Sequence, residues 1–355
     1  MIIVRLRGRW REELLATHWR WLLMPAWLIF RPLVWLRNLS FGLGWRKPQR
    51  LSVPVWSVGN LTAGGTGKTP LTRYLARWAI AHGLQPAIIS RGYHAEKSGA
   101  NDEARTVSEC PVICHPDRVA AGRQAIANGA TCLIMDDGFQ HRRLHRDVDF
   151  VLIDATRPWG ADDGSAGATL PLGYLRESPG ALKRSSMVVL TRSTLIAAPL
   201  LAHLEHEVLV YEKPVIHVED QSASLRSLTA SGSPADISEL SGRAVVLVSG
   251  LGNPLGFERA ALGYGWQVIA SFRFPDHHHY DASDIATIVA AAQQHQATLV
   301  ITGKDAVKIQ PLISADDAVH FRVLEVRHDI RSADQALLER MLSATLSASV
   351  TIRPS

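Results

Sequence analysis

A chain of 355 residues has room for two domains with buried cores, and 46% hydrophobic with 20% charged residues excludes a disordered or low-complexity protein. Three cysteines make no even disulfide framework and fit a reducing compartment. The net charge of +5 is uneven: the first fifty residues carry +8 and six of the ten tryptophans, leaving −3 for the remainder.

That first segment holds the apolar run Trp21–Phe30, which Arg31 and Pro32 interrupt. Ten residues are too few for a spanning helix, which needs about 20. The run is Trp-rich and lacks an Ala-x-Ala exit, so it does not read as a secretory signal either. Trp and Phe at headgroup level, with Arg5, Arg7, Arg9, Arg11, Arg20, Arg31 and Arg37 facing anionic lipid, describe a membrane-interfacial segment. Apolar interleaving this dense suits acyl chains better than a phosphodiester backbone, so nucleic acid is not expected.

The run Val53–Val58 reads as a buried strand and Leu71–Ile80 as a helix, and between them lies Asn60-Leu-Thr-Ala-Gly-Gly-Thr-Gly-Lys-Thr-Pro70. Strand, glycine-rich turn and helix are the context of a phosphate-binding loop. Thr62, Ala63, Gly64, Gly65, Thr66, Gly67, Lys68 and Thr69 are its candidate ATP-binding residues. Lys68 is placed to reach the β- and γ-phosphates, and the Thr69 hydroxyl to ligate Mg²⁺. Thr62 stands where the strict pattern has glycine. Further along, Gln85–Ser90 reads as a strand, followed by Arg91-Gly-Tyr93-His94 and a polar loop with Asp102 and Glu103. Loops after strands are where α/β sheets place their ligand sites. Cys110-x₃-Cys114-His115 lacks the second ligand pair of a zinc site.

Ala130–Met135 is an apolar strand that runs into Asp136-Asp137-Gly-Phe-Gln140-His141. A hydrophobic strand ending in Asp supplies the carboxylate that holds Mg²⁺ opposite the loop threonine. Asp149–Asp154 ends in the same way; Asp136 is preferred for its richer loop, and Asp154 is expected to brace one. With a strand over 186–191, the alternation predicts a mostly parallel α/β sheet. Arg176, in the loop Pro171–Pro179, is suited to clamp a phosphate. Residues 211–215 read as a linker strand, with polar, Ser-rich sequence to about 242. A second α/β unit follows, with strands over 244–249, 267–272, 297–302 and 319–324, helices near 254–263 and 284–293, and a terminal helix near 333–345. Asp276-His277-His278-His279 cannot aim all its imidazoles one way, so one histidine tuning a carboxylate is the better reading than chelation. No Asn/Thr-Lys-x-Asp element is present, which favours ATP over GTP.

Gly59–Pro70, Ser90-Arg-Gly-Tyr93, Asn101-Asp-Glu103, Asp117–Gly122, Asp136–His141, Leu172–Glu177 and Phe274-Pro-Asp-His277, in that order, resemble the tetraacyldisaccharide 4′-kinase family, the lipid A 4′-kinases of Gram-negative bacteria. The resemblance implies a P-loop NTPase-like domain joined by a strand linker to a smaller α/β domain. It divides the chain into a membrane-interfacial segment (1–50), a kinase domain (51–210), the smaller domain (211–326) and a C-terminal helix and tail (327–355). It implies phosphorylation by ATP and Mg²⁺ of the 4′-hydroxyl of tetraacyldisaccharide 1-phosphate, giving lipid IVA, by a peripheral or monotopic protein on the cytoplasmic face of the inner membrane. No obligate protein partner is implied. Asp102 matches the catalytic carboxylate and His277 its partner, while Glu103 and Asp136, with Thr69, match metal-organising residues. Ser90, Tyr93, Asp137, Gln140, His141 and Arg176 match positions around the transferred phosphate and the disaccharide. The family's common Thr-Glu-Lys-Asp is Thr302-Gly303-Lys304-Asp305 here. The competing readings are a membrane-associated P-loop switch ATPase without a small-molecule acceptor, and a ligase-like enzyme acting on a carboxylate.

Overall fold

The computed structural model describes residues 2–5, 18–91, 110–160, 167–228, 235–276 and 278–350. In chain order its strands are β1 (Ile2–Arg5), β2 (Val55–Asn60), β3 (Pro86–Ser90), β4 (Val112–Cys114), β5 (Cys132–Asp136), β6 (Val148–Asp154), β7 (Met187–Thr191), β8 (Val215–Ser227), β9 (Ala235–Asp236), β10 (Ala244–Ser249), β11 (Gln267–Arg273), β12 (Thr298–Thr302) and β13 (Phe321–Ile330). The helices used below are α1 (Met24–Gly42), α2 (Lys68–Ala81), α3 (Arg118–Ala127), α4 (Ala198–Leu209), α5 (Pro254–Gly263), α6 (Ala282–Gln294), α7 (Gly303–Ile309) and α8 (Ser332–Val350). Packing divides the chain into a larger unit, Trp21–Glu219 with Asp329–Ser355, and a smaller one, Met1–Arg20 with Asp220–His328. The C-terminal helix falls in the larger unit and Ile2–Arg5 in the smaller.

In the larger unit every pairing is parallel, in the order β8-β7-β6-β2-β5-β3-β4. Alternate residues feed opposite faces, and both faces are covered, as a parallel sheet requires. Trp56, Val58, Ile134, Phe150 and Leu152 meet Leu75 and Trp78 of α2 and Leu338 and Leu342 of α8. On the other face Ile89 and Leu133 meet Val119 and Ala125 of α3, while Val151, Ile153 and Val188 meet Leu204 and Val208 of α4. The central strand β2 has β5 on one side and β6 on the other. Its C-terminal end, where the phosphate loop leaves, is therefore a switch point of the sheet, where such folds bind ligands.

Helix α1 buries none of its residues fully. Its inner side is held by polar contacts. Trp27 Nε1 donates to Thr169 Oγ1 at 2.8 Å, and Asn38 Nδ2 and Arg37 Nη2 donate to Glu177 at 2.7 and 3.3 Å. Arg184 also donates to Glu177, at 2.9 Å. Ile29, Leu33 and Leu36, spaced as one helical stripe, stay 52–65% exposed, and Trp35 is 61% exposed. Among the described residues no helix is long and apolar enough to cross a membrane.

In the smaller unit the strands run in the order β1-β11-β10-β12-β13, each of these pairs parallel. Phe272, Ile301, Phe321 and Val323 pack with Ile285 and Ile288 of α6, and Leu247, Val268 and Val300 pack with Phe257 and Ala261 of α5. Strand β8 corrects the expected linker: it continues to Ser227 and pairs antiparallel with β9. Its buried apolar residues Ile216, Val218 and Leu225 are scattered among Glu, Asp, Gln, Ser and Arg, so mean polarity hid the strand.

Candidate active site

The phosphate loop runs from the end of β2 to α2. Gly64 and Gly67 adopt φ of 126° and 79°, the left-handed region where glycine carries no side-chain penalty. Gly67 is the N-cap of α2, and no side chain caps that helix. The first N–H groups of α2 thus lack a side-chain acceptor, and a helix N-terminus of this kind attracts anionic oxygens. Thr66 Oγ1 is buried with no protein partner among the described residues. Carbonyls of the loop are held from behind: Thr191 Oγ1 donates to Thr66 O at 2.9 Å, Arg192 to Gly65 O at 3.2 Å and Asn60 Nδ2 to Thr62 O at 2.8 Å. Thr62 departs from the strict pattern for a visible reason. It forms an antiparallel bridge with Leu175, flanked by Ala63 N–H to Tyr174 O and Arg176 N–H to Leu61 O, both 2.7 Å. A β-branched residue suits such extended backbone.

Opposite the loop stands the turn after β5. Asp136 is in register with Val58 of β2, and Asp137 follows in the left-handed region at φ 50°. The Asp137 carboxylate accepts from Arg176 Nη1 at 2.7 and 2.8 Å and lies 3.6 Å from Lys68 Nζ. Arg176 also reaches Gln140 Oε1 at 3.2 Å, and Gln140 Nε2 donates to Asn60 O at 2.7 Å. Burial works to raise the Asp137 pKa, but Lys68, Arg176 and Arg118 together outweigh it and hold the carboxyl below its usual range. Lys68, Asp137, Gln140 and Arg176, separate in sequence, are therefore one cluster. Thr69 lies half-buried in the first turn of α2 and Ser90 buried at the end of β3.

His141 follows in the same turn. Burial first, then Arg118 and Arg146, lowers its pKa to about 4, so the imidazole is neutral at pH 7. Its Nε2 is buried and has no partner among the described residues. Asp154, at the end of β6, is occupied differently: it accepts from Thr156 N and Oγ1 at 3.0 and 2.6 Å and pairs with Arg192. Tyr93, Asp102, Glu103 and His277 lie outside the described residues.

The tetraacyldisaccharide-1-P 4′-kinase family matches residues 19–347. The chain belongs to this family. A tetraacyldisaccharide 4′-kinase of Syntrophus aciditrophicus is 36% identical over 346 residues, covering 88% of this chain and 91% of that protein. The Halothermothrix orenii protein of the same name is 35% identical, covering 82% and 83%. A crystal structure of LpxK from Aquifex aeolicus, in complex with ATP, superposes with a TM-score of 0.65 at 25% identity, covering 92% of this chain and 99% of that one.

Two residues of this kinase-family site escaped the sequence reading. Arg118 is 3% exposed and donates to His115 O at 3.2 Å and to Asp136 O at 3.3 Å, so a cation lies beneath the paired aspartates. It directly follows Asp117, which caps α3 by accepting from Val119 and Ala120 N–H. A cap followed by arginine reads as a solvated helix start, and only the tertiary placement turns it inward. Arg192 follows β7 in the left-handed region at φ 56° and ties Asp154 to the loop carbonyl of Gly65. Its signal in sequence was position alone: the residue after a buried strand.

Proposed function

We propose that the protein is a tetraacyldisaccharide 4′-kinase that transfers the γ-phosphoryl group of ATP to the 4′-hydroxyl of a tetraacylated glucosamine disaccharide 1-phosphate, a step of lipid A biosynthesis. The uncapped phosphate loop facing the Lys68–Asp137–Arg176–Gln140 cluster carries this reading, together with family membership. Phosphoryl transfer is mainly positioning and electrostatics. The loop N–H groups and Lys68 hold the triphosphate. Asp137 keeps Lys68 and Arg176 aimed at one place, and Gln140 ties that place to the backbone of Asn60. Asp102 takes the acceptor proton, assisted by His277, as the family resemblance implies.

The oxygen donors of Thr69 and Asp136, with Glu103 by resemblance, are of the hard type that suits Mg²⁺. Asp136 ends the strand beside β2, two residues in register before the loop begins, which supports that fit. When bound there, Mg²⁺ neutralises charge on the β- and γ-phosphate oxygens. The acceptor carries four acyl chains, and the exposed apolar stripe of α1 supports a peripheral seat at a lipid interface; the cytoplasmic face of the inner membrane is what the family resemblance implies.

The test is transfer of label from γ-labelled ATP to detergent-dispersed lipid disaccharide. Label is expected in the lipid fraction, with Asp102→Ala losing several orders of magnitude in turnover while ATP binding survives. Label released only as free phosphate would return the switch-ATPase reading, and near-normal turnover of Asp102→Ala would remove the base.

A further inference from the structure

Both strands that flank β2 end in aspartate, β5 at Asp136 and β6 at Asp154. Asp154, 3% exposed, is in register with Thr191 at the end of β7. Its carboxylate accepts from Thr156 N–H at 3.0 Å and from Thr156 Oγ1 at 2.6 Å, and it pairs with Arg192 Nη1. Arg192 Nη1 also donates to Gly65 O at 3.2 Å, and Thr191 Oγ1 donates to Thr66 O at 2.9 Å. Two consecutive residues at the end of β7 thus hold two consecutive carbonyls of the phosphate loop.

Those carbonyls decide where two N–H groups point. A trans peptide unit is planar, and its C=O and N–H face opposite ways. Gly65 O shares its peptide with Thr66 N–H, and Thr66 O shares the next with Gly67 N–H. Holding both oxygens on the β7 side turns both N–H groups to the other side of the loop. Neither N–H has an acceptor in the protein among the described residues. Gly67 is the N-cap of α2, so its N–H joins the donors at the helix start that attract anions. Thr191 also lies against this residue: a Cβ on Gly67 would sit 3.7 Å from Thr191 Cβ and Cγ2.

The backbone of Arg192 stands in the left-handed region at φ 56°. Glycine or asparagine would make that turn with less strain. What they would lose is the guanidinium, which bridges a loop carbonyl and a buried carboxylate. A charged donor on a carbonyl also polarises the peptide, so the N–H at its other end becomes a better donor.

We propose that Arg192 is a positioning residue for the phosphates of the nucleotide: it aims Thr66 N–H into the loop, and Asp154 acts by holding the Arg192 guanidinium. This rests on the reading that the loop holds the triphosphate of ATP. Neither side chain need touch the nucleotide. The effect falls on affinity for phosphate groups, hence on KM for ATP, and not on KM for the lipid or on kcat at saturation.

The experiment is calorimetric titration of the full chain with ATP and with inorganic tripolyphosphate, both with Mg²⁺, beside steady-state kinetics. The variants are Arg192→Asn, Arg192→Lys, Asp154→Asn and the combination of Arg192→Asn with Asp154→Asn. Asparagine at 192 keeps the left-handed turn and removes the cation. Arg192→Asn is expected to raise Kd for both ligands alike by about tenfold or more, the scale of one hydrogen bond to a charged group. Its kcat at saturating ATP and its KM for the lipid are expected within about threefold of wild type, a split that general loosening of the fold would not give. Arg192→Lys recovers part of the affinity. Asp154→Asn weakens binding by itself but adds nothing in the Arg192→Asn background. If Arg192→Asn does not fold because Asp154 is left buried beside no cation, the combined variant removes both charges and is compared with wild type in its place. Wild-type Kd in the variants lacking Arg192 overturns the proposal. So does a loss for ATP that spares tripolyphosphate, which would put Arg192 at the nucleoside. So does a further loss from Asp154→Asn in the Arg192→Asn background, which would give Asp154 a task of its own. A wild-type protein that does not bind ATP removes the triphosphate reading, and the proposal with it.

Discussion

Replacing Gly59 by alanine tests the link between the phosphate loop and the turn that carries Asp137. A methyl group there would lie 2.6 Å from Phe139 Cβ and 2.7 Å from the Phe139 backbone nitrogen. Carbon atoms rest at about 3.5 Å or more, so one side has to retreat by about 0.9 Å. Strand β2 is paired on both sides and cannot move, which leaves the turn. The turn itself is tied down: Gly138 N–H donates to Val58 O at 3.1 Å, and Phe139 is fully buried with Arg184 over its ring at 4.7 Å. Overpacking of this kind costs about 1–3 kcal/mol. For a unit of this size that lowers Tm by about 2–4 °C per kcal/mol. Asp137 and Gln140 flank Phe139, so the same shift pulls them from Lys68 and Arg176. A displacement near 1 Å costs about 100-fold in rate. Thermal melts and the lipid-phosphorylation assay read the two effects, and Gly263→Ala, on a helix with open space around it, is the matched control. A Gly59→Ala protein that melts like wild type and transfers phosphate within about threefold of it refutes the argument.

Two further outcomes follow from the same unit. The His141 pKa is lowered to about 4 from an unfolded value near 6.5, so the unfolded chain binds the extra proton first and stability falls as pH drops from 6.5 towards 4. Urea titrations of wild type against His141→Gln at pH 7 and pH 4.5 check it, and parallel curves would contradict it. On α1, serine at Ile29 and Leu33 removes two exposed apolar side chains worth about 1.5 kcal/mol or more each in a lipid interface. Co-sedimentation with vesicles containing anionic phospholipid is expected to weaken at least tenfold, while unchanged binding would place the membrane contact elsewhere.

The parallel sheet of the larger unit was legible because both its faces are covered, which makes each strand a continuous apolar run. The same rule left two aspartates ending strands, at 136 and 154, and sequence could rank them only by the company each keeps. Structure adds that β5 and β6 both neighbour β2, and that Thr156 and Arg192 already engage Asp154. Short or mixed strands were not legible. Val112–Cys114 has three residues, too few to show a period, and Ile2–Arg5 is followed by a run of arginines that reads as a charged segment. Nor were the partners of charged side chains. Arg176 was expected at a phosphate, and in this structure its guanidinium holds Asp137 and Gln140. Nothing in a single sequence says which of several arginines turns inward, because that choice is made by burial of the whole segment.

The stretch from Tyr174 to Glu177 draws these observations together. Its backbone is bonded to the start of the phosphate loop, through Ala63 N–H to Tyr174 O and Arg176 N–H to Leu61 O. Arg176 turns to Asp137, and Glu177, 3% exposed, turns to Arg37 and Asn38 of α1 and to Arg184. One peptide unit thus separates the group that holds the Asp137 carboxylate from the group that holds the apolar helix. On the proposed function the acceptor stays in lipid, and the phosphate cluster has to be fixed relative to the membrane surface. A flexible tether would not do this, because a shift near 1 Å already costs about two orders of magnitude in rate. A segment bonded along its backbone to the loop, with its side chains divided between the two tasks, does.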